Sequence, residues 1–376
     1  MKTRNFDIAI VGAGITGLSF ACAAVKRGYR VILFEKNEQA CSASVRNFGL
    51  IWPMGQSAGP GYERAIKSRE LWLQLARETG FWVSENGSLF VALHEDEMQV
   101  LEEYHKNFGS VTKILSPSEA SNVSSHILKD KIRGALFSPH EMTINPPEAI
   151  QAITKWLKKN NNVEVRNGEM VYEAGNGIIR TSSGSWKADN IFICSGSVTH
   201  TLYSDVLKQQ NLVSCKLQMM KFRPVRGTFN IGPTICGGLT LMHYDAFRHC
   251  PSIEKMKKRI FSELPEYVRY GIHVLVAQNN YNELLIGDSH EYGIEIDPFI
   301  KTEINKLILK YLDQYFPIKN LELTNIWSGL YLKNPGNTEF VYRADSSTFL
   351  ITGFGGGGMT LAPAFAEDFL TSLRTP

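Results

Sequence analysis

The chain has 376 residues, of which 43% are hydrophobic and 20% charged, and its formal net charge at pH 7 is +3. This composition is typical of a globular protein with two lobes, and so small a charge gives no reason to expect nucleic acid or an anionic membrane as a partner. No run of about 18 apolar residues occurs, so no integral membrane segment is predicted. The six cysteines form no C-x-x-C pair, so we expect no metal, reduced thiols and a cytoplasmic location.

The first 35 residues predict a strand, a glycine turn, a helix and a second strand. The apolar run 8–11 leads into Gly-Ala-Gly-Ile-Thr-Gly at 12–17, which opens a helix, and the apolar run 31–34 ends at Glu35. This is the βαβ fingerprint of dinucleotide binding.

Each part of the fingerprint has a physical role. Gly12 permits the tight turn, Gly14 lets the backbone approach a pyrophosphate, and Gly17 lets the helix pack closely on the strand. The helix N-terminus offers N–H groups to the phosphates. Glu35 can accept hydrogen bonds from a ribose diol, which disfavours a 2′-phosphate and leaves both NAD and FAD open.

The remaining elements follow from hydrophobic periodicity and breakers. Helices are predicted at 62–79, 95–108, 146–157 and 298–315, with a closing helix from 363. Strands are predicted at 81–83, 88–91, 163–165, 191–194 and 349–352, with a meander over 178–186 and a β-rich segment over 213–290.

Pieces of a parallel sheet therefore fall at the start, the middle and the end of the chain. They predict an α/β fold (α+β overall) in which a discontinuous nucleotide domain is interleaved with a β-rich domain. The predicted ranges are 1–80, 140–212 and 320–376 for the nucleotide domain and 81–139 and 213–319 for the second domain.

Three later segments resemble known flavoproteins. The segment 188–197, an acid, an apolar strand and small residues ending in glycine, resembles glutathione-reductase-type flavoproteins. Asn145-Pro146-Pro147 is similar to a segment of amine oxidases, and 351–363 is similar to their C-terminal flavin loop. Together they resemble the D-amino-acid oxidase, glycine oxidase and sarcosine oxidase superfamily. The resemblance implies a glutathione-reductase-like FAD-binding Rossmann domain, a substrate domain, and FAD rather than NAD.

The same resemblance implies the residues that hold FAD. The loop 41–49 would contact the pyrophosphate and the middle of the flavin, and the glycines of 355–358 would bring N–H groups to the O2 side of the ring. The implied cofactor residues are Gly12, Gly14, Ile15, Thr16, Gly17, Glu35, Lys36, Ser44, Arg46, Asn47, Val171, Ser195, Gly196, Gly329, Gly355, Gly356, Gly357, Gly358, Met359 and Thr360.

The chain departs from the superfamily at three places. The strand 326–331 lacks the cysteine that binds flavin covalently in sarcosine oxidases, so non-covalent FAD is expected. Leu330-Tyr331-Leu332-Lys333 stands where amino-acid oxidases usually carry a carboxylate-binding arginine, and Thr360 stands in place of a lysine. The segments 216–220, 238–244 and 286–292 instead resemble flavoproteins associated with aminophosphonate breakdown.

These features predict oxidation of a small amine with an anionic head, an amino acid, N-methyl amino acid or aminophosphonate, by hydride transfer to flavin. Residues that could bind the head or handle protons are Arg46, His243, Tyr244, His290, Tyr331 and Lys333. The alternative for Arg46 is a solvated surface arginine, and for each histidine a hydrogen-bonded structural residue. Trp52, Tyr62 and Trp327 are interpreted as core or flavin-wall residues, and the basic run 255–259 as a solvated helix face.

Two other functions stay open at this stage. An NAD-linked dehydrogenase would use the same N-terminal fingerprint but has no use for the terminal glycine loop. A flavoprotein subunit without catalytic activity would bind FAD and a partner chain. The oligomeric state is left open.

Overall fold

The computed structural model describes residues 5–109 and 111–373. Its strands are β1 (Asn5–Val11), β2 (Val31–Glu35), β3 (Leu50–Ile51), β4 (Val83–Ser84), β5 (Ser88–Ala92), β6 (Lys113–Leu115), β7 (Gly134–Ser138), β8 (Met142–Ile144), β9 (Val163–Asn167), β10 (Val171–Gly175), β11 (Ile178–Thr181), β12 (Gly184–Ile193), β13 (Val213–Pro224), β14 (Thr234–Cys236), β15 (Leu275–Gln278), β16 (Leu284–Gly287), β17 (Glu291–Gly293), β18 (Leu321–Lys333), β19 (Phe340–Arg343) and β20 (Thr348–Thr352). Its helices are α1 (Ile15–Lys26), α2 (Pro60–Thr79), α3 (Glu95–Phe108), α4 (Pro117–Val123), α5 (Pro146–Lys158), α6 (Ser204–Lys208), α7 (Leu239–His243), α8 (Ile253–Glu263), α9 (Pro265–Arg269), α10 (Thr302–Leu312) and α11 (Gly358–Ser372).

The first sheet carries the fingerprint. Its parallel strands run in the order β9, β2, β1, β12 and β20, and β10, β11 and β19 add antiparallel strands. In chain order this is 3-2-1-4-5, the doubly wound arrangement. Side chains from α1, α2, α5 and α11 form the core on one face. The predicted α/β fold is confirmed, and the carboxyl ends of β1, β2 and β12 meet at one edge.

The second sheet is mixed and mostly antiparallel. Its order is β17, β13, β16, β15, β14, β5, β7 and β6, and β18 pairs with β13 along its length. Side chains of this sheet and of α3, α8 and α10 form the largest core. Because β18 belongs to this sheet, we propose a domain boundary after Lys333 instead of at residue 320. A small antiparallel sheet of β3, β8 and β4 completes the architecture.

The closing helix begins at Gly358, so the prediction that it begins at Pro363 is wrong. Pro363 lies inside α11, where it has no N–H to donate to the carbonyl of Met359. The indole Nε1 of Trp72 donates to that carbonyl instead, at 2.8 Å. The next N–H, of Ala364, donates to Oγ of Ser68 at 3.0 Å. Helix α2 therefore satisfies the groups that the proline displaces.

The predicted start of the helix at residue 298 is also wrong. Nζ of Lys216 donates to the carbonyls of Asp297 and Phe299 at 2.5 and 2.9 Å. These contacts use carbonyls that a helix would need, and α10 begins only at Thr302. A long-range contact of this kind is invisible in local periodicity.

The segment 213–290 is less β-rich than predicted, because it also contains α7, α8 and α9.

The basic run 255–259 lies on α8, and one of its residues, Arg259, does not face solvent. Arg259 donates to Asp96 at 2.7 and 2.9 Å and to Glu97 at 2.8 Å, and both carboxylates are buried.

Among the described residues, no helix combines the length and the apolar character that crossing a bilayer requires.

Candidate active site

A cleft opens where β1, β2 and β12 end, and we call it the nucleotide cleft. Eight of the predicted cofactor residues line it: Gly12, Gly14, Glu35, Lys36, Ser44, Val171, Ser195 and Gly196. This is the edge at which doubly wound sheets bind ligands.

Two fingerprint residues, Thr16 and Gly17, are not among the residues that line the cleft. A Cβ built on Gly17 would overlap the carbonyl oxygen of Gly12, so Gly17 serves the packing of α1 on β1. Gly12 itself has φ +103°, and a Cβ there would lie 2.5 Å from the carbonyl oxygen of Cys194. The backbone shape of the turn therefore depends on both glycines.

Hydrogen bonds fix the acceptor groups of the cleft. The buried carboxylate of Glu35 accepts from the backbone N–H groups of Ala13 and Asn37 at 3.0 and 3.1 Å. Oγ of Ser44 accepts from the N–H of Ile15, at the N-terminus of α1, at 2.8 Å. A glycine cradle at a helix N-terminus, with an acid at the end of the next strand, suits the diphosphate and ribose of FAD.

A second cavity adjoins the cleft through Ala43 and Ser44, which line both. We call it the central cavity; it encloses about 250 Å³ between the first and second sheets. The predicted residues that line it are Ile15, Ser44, Arg46, Asn47, His243, Tyr244, His290, Gly329, Tyr331, Lys333, Gly355, Gly356, Gly357, Gly358, Met359 and Thr360.

The glycine loop forms the nucleotide-domain side of the central cavity. Residues Gly355–Gly357 make a 3-10 turn that runs directly into α11. The N-terminus of a helix leaves N–H groups without intrahelical partners and carries partial positive charge. On the same wall, Nε1 of Trp52 is buried and has no hydrogen-bond partner within the protein. Such donors suit the oxygen and nitrogen acceptors of an isoalloxazine ring.

Thr360 and Asn47 line the cavity, but their polar groups hold the loops in place. Oγ1 of Thr360 accepts from the N–H of Trp52 at 3.0 Å. The amide of Asn47 donates to the carbonyl of Ala43 at 2.9 Å and accepts from the N–H of Gly49 at 2.8 Å. Both side chains therefore position the walls.

Two positively charged side chains, Arg46 and Lys333, lie at the solvent-exposed rim of the central cavity. The guanidinium of Arg46 donates to the carbonyls of Cys41 and Ser328 at 2.8 and 3.3 Å. Nζ of Lys333 lies 5.6 Å from the centre of the Tyr292 ring. Both side chains are exposed. Among the described residues that line the cavity, Arg46 is the only arginine and Lys333 the only lysine.

Two tyrosines line the deeper part. Burial raises the pKa of Tyr244 and of Tyr331 well above the usual value of the phenol. Both therefore remain neutral hydroxyl groups at physiological pH, able to donate or accept a hydrogen bond.

Tyr62 and Trp327 are not among the residues that line the central cavity. Tyr62 forms a hydrogen bond of 2.6 Å with Nδ1 of His140, and Nε1 of Trp327 donates to the carbonyl of Arg46 at 3.2 Å.

Two further buried residues line the cavity that were not predicted from the sequence, His273 and Asp288. Nε2 of His273 lies 2.9 Å from Oδ1 of Asp288, and Nε2 of His290 lies 3.8 Å from Oδ2. Asp288 belongs to the segment 286–292, which resembles flavoproteins associated with aminophosphonate breakdown. His273 is flanked by apolar residues within 272–275, a pattern that indicates a core strand and not a cavity residue.

The acid–base state of the cavity follows from burial. Burial lowers the pKa of His290 to about 4, although Asp288 opposes the effect, and it lowers the pKa of His243 well below its usual value. Burial raises the pKa of Asp288, but the nearby His273 and His290 outweigh this effect and hold it below its usual value. The imidazoles of His243 and His290 are therefore neutral at neutral pH and lie beside a carboxylate.

Comparison with known proteins identifies relatives along most of the chain. A glycerol 3-phosphate dehydrogenase of Caloramator mitchellensis is 26% identical over 98% of this chain and 74% of its own length. A glycine oxidase of Geobacillus kaustophilus is 24% identical over 52% of this chain and 55% of its own length. The crystal structure of a glycine oxidase from Geobacillus kaustophilus superimposes with a TM-score of 0.78 at 19% identity, over 99% of this chain and 95% of that one, which supports the shared fold.

The family profile of the DAO family, described as FAD-dependent oxidoreductases, matches residues 7–370. That match covers both sheets and both cavities, and it decides between FAD and the NAD-linked alternative. It also makes the chain an enzyme instead of a non-catalytic subunit. The chain belongs to the DAO family of FAD-dependent oxidoreductases.

Proposed function

We propose that this enzyme oxidises the C–N bond of a small amine that carries an anionic head. The observation that carries the proposal is the meeting, in one cavity, of the glycine loop of α11 with two cations, Arg46 and Lys333. When bound, FAD supplies the acceptor for a hydride from the carbon next to nitrogen. The chain itself has to bind the substrate, orient its C–H bond and exclude water.

The rim is the place for the anionic head. Arg46 uses two of its N–H groups on Cys41 and Ser328, and a guanidinium has five. The remaining donors suit a carboxylate or a phosphonate. Lys333, on the strand that faces the glycine loop, adds a second positive charge at the rim.

A second candidate is oxidation of a hydroxyl group on a phosphate-bearing substrate. It is favoured by the relative named as a glycerol 3-phosphate dehydrogenase, which this chain matches over 98% of its length. An alcohol must also lose a proton that an uncharged amine does not have to lose, and His290 beside Asp288 offers an acceptor.

An anaerobic screen of the holoenzyme distinguishes the candidates. Amino acids, N-methyl amino acids, aminophosphonates and sn-glycerol 3-phosphate are added singly, and loss of the visible absorption of oxidised flavin is followed. We expect bleaching by an amine with an anionic head. Bleaching by glycerol 3-phosphate alone would favour the second candidate, and bleaching only by amines without an anionic head would contradict the proposal.

The cofactor is proposed to be held without a covalent bond, since residues 326–331 contain no cysteine. Acid or heat denaturation should therefore release free FAD into the supernatant. Yellow colour that stays with the precipitated polypeptide would contradict this proposal.

A further inference from the structure

The indole N–H of Trp52 is a buried donor that the protein leaves without an acceptor. Trp52 is 3% exposed and lines the central cavity, and its Nε1 has no hydrogen-bond partner in the part of the chain that the structure describes. An indole nitrogen always carries its hydrogen and can only donate, so its role does not depend on a protonation state or a tautomer. A buried donor without an acceptor destabilises a fold, and a ligand in the cavity would satisfy it.

Contacts on several sides hold the indole in place. Its ring centroid lies 5.8 Å from that of Phe90 and 6.1 Å from that of Tyr244. The backbone N–H of Trp52 donates to Oγ1 of Thr360 at 3.0 Å, and a Cβ built on Gly55 would lie 2.6 Å from the indole Cδ1. The ring therefore has little room to turn its N–H toward another acceptor, and the donor is preorganised.

The indole lies on the side of the cavity that the second sheet forms. Trp52 follows β3, but its side chain belongs to the core of the second sheet and not to the core of the first. Its ring neighbour Phe90 is on β5 of the second sheet, and Tyr244 packs against the same core. The glycines of 355–358, whose N–H groups suit the flavin, lie on the other side. This placement favours the substrate over the flavin ring as the partner of Nε1.

The proposed substrate offers this donor one class of acceptor. An ammonium group has hydrogens and no lone pair, and an uncharged amine uses its single lone pair to form the C=N bond as the hydride leaves. The oxygens of the anionic head remain. A carboxylate has about four lone-pair sites, so it can accept from Arg46 at the rim and from the indole together.

We propose that Trp52 is a specificity-determining residue whose Nε1–H donates a hydrogen bond to an oxygen of the substrate's anionic head. Arg46 and Lys333 are exposed, so water and salt screen their charges. The indole is buried, where a hydrogen bond is electrostatically stronger. The rim therefore attracts an anion, and the indole selects one whose oxygen reaches the buried donor. This inference rests on the proposed function, since it assigns a donor to the head which that function requires.

Two ligands that differ only in the head test the assignment in the holoenzyme. The probe 2-aminoisobutyrate carries an amino group and a carboxylate, and tert-butylamine replaces the carboxylate by a methyl group. Neither has a hydrogen on the carbon that bears nitrogen, so neither can be oxidised there. By calorimetry, we expect the wild type to bind 2-aminoisobutyrate at least about a hundredfold more tightly, with about tenfold from each of two charged hydrogen bonds, those of Arg46 and Trp52.

Trp52→Phe removes the N–H and keeps an aromatic ring against Phe90 and Tyr244. It should lower the preference for 2-aminoisobutyrate about tenfold and leave the affinity for tert-butylamine unchanged. Replacement of Trp52 by benzothienylalanine, which has sulfur in place of the N–H in a ring of nearly the same shape, should have the same effect and serves if the phenylalanine variant does not fold.

Trp186→Phe is the matched control. Trp186 is also buried, but it lies on β12 of the first sheet and is not among the residues that line either cavity. The same loss of an indole at this position should leave the preference unchanged.

Three results would overturn the inference. An unchanged preference in both Trp52 variants would mean that no substrate atom accepts from the N–H. A shift in the absorption maxima or the midpoint potential of the ligand-free flavin, with the preference kept, would assign the N–H to the flavin. Equal loss of affinity for both ligands would make the residue a structural one.

Failure of the proposed function gives a different result. In that case no amine bleaches the flavin in the anaerobic screen, and the wild type itself binds 2-aminoisobutyrate no more tightly than tert-butylamine. If only the inference fails, amines bleach the flavin and the wild type shows the preference, but the Trp52 variants keep it.

Discussion

The nucleotide cleft and the central cavity are built by opposite means. The cleft is built largely from backbone, with Gly12 and Gly14 in one turn of consecutive residues. The buried side of the central cavity is built from side chains of His243, His273 and His290, which come from three separate segments: the end of α7 and the residues that precede β15 and β17. A site made of backbone leaves a mark in local sequence, whereas a site made of convergent side chains depends on how strands pair.

The first prediction concerns the backbone-built cleft. A Cβ on Gly14 would meet only Oγ of Ser44, at 3.1 Å, so Gly14→Ala should fold and keep FAD. Gly14→Val adds branches that fill the place of the pyrophosphate, and we expect loss of FAD binding from a folded protein. The measurement is flavin absorbance per mole of polypeptide, with circular dichroism as the check on folding. A Gly14→Val protein with full flavin content would show that the cleft does not depend on backbone approach.

The second prediction concerns the side chains at the rim. Arg46→Ala should lower kcat/KM for the anionic substrate about tenfold to a hundredfold, since a hydrogen bond to a charged group contributes about 1.5–3 kcal/mol. FAD content should stay nearly unchanged, and a neutral amine should be turned over equally by both proteins.

Arg46→Lys is the matched variant, because it keeps the charge but loses the fork that reaches Cys41 and Ser328. It should recover part of the lost efficiency. Normal kinetics of Arg46→Ala on the best anionic substrate would assign that arginine to the surface and move the anion site to Lys333.

The third prediction uses pH to test the burial of His290. His290 has a folded-state pKa of about 4, below the value of about 6.5 in an unfolded chain. Between these values the unfolded chain binds a proton that the folded protein does not. Stability should therefore fall as the pH drops from about 6.5 to 4, by about 3 kcal/mol in all, and this group should have no effect above that window.

Guanidinium denaturation of the holoenzyme across pH 4.5–7.5 measures this loss. His290→Asn should flatten the dependence, and the same change at the exposed His200 should not. Equal slopes for wild type and His290→Asn would mean that the ring is hydrated or charged in the folded protein.

The smallest expected effect belongs to the wall of the central cavity that carries Trp52 and Thr360. Thr360→Val removes the oxygen that accepts from the N–H of Trp52 and leaves that buried N–H without its partner. We expect a loss of about 1–2 kcal/mol of stability with flavin content retained. Thr154→Val, whose hydroxyl donates only within its own helix, is the control and should change the melting temperature much less. A loss of FAD from Thr360→Val would instead give the hydroxyl a direct role at the cofactor.

Local sequence patterns predict the nucleotide domain in outline and one helix of the second domain. The glycine turn and Glu35 of the first, and α3 at 95–108 of the second, follow from such patterns, because a turn, a cap or an apolar stripe depends on residues a few positions apart. The family resemblance, and with it FAD, likewise came from short contiguous motifs, and the family match over residues 7–370 confirms it.

Two helix boundaries and the buried part of the central cavity became visible only in the tertiary structure. Pro363 lies inside a helix because Trp72 and Ser68 satisfy the backbone groups that the proline displaces. The helix predicted at 298–315 begins later because Lys216 binds two carbonyls that are 81 and 83 residues away in the chain. His273, which is flanked by apolar residues in the sequence, lies beside Asp288 because the strands next to them, β15 and β16, are paired. Each of these depends on a contact between distant segments, and the free energy of such contacts outweighs local propensity without leaving a trace in it.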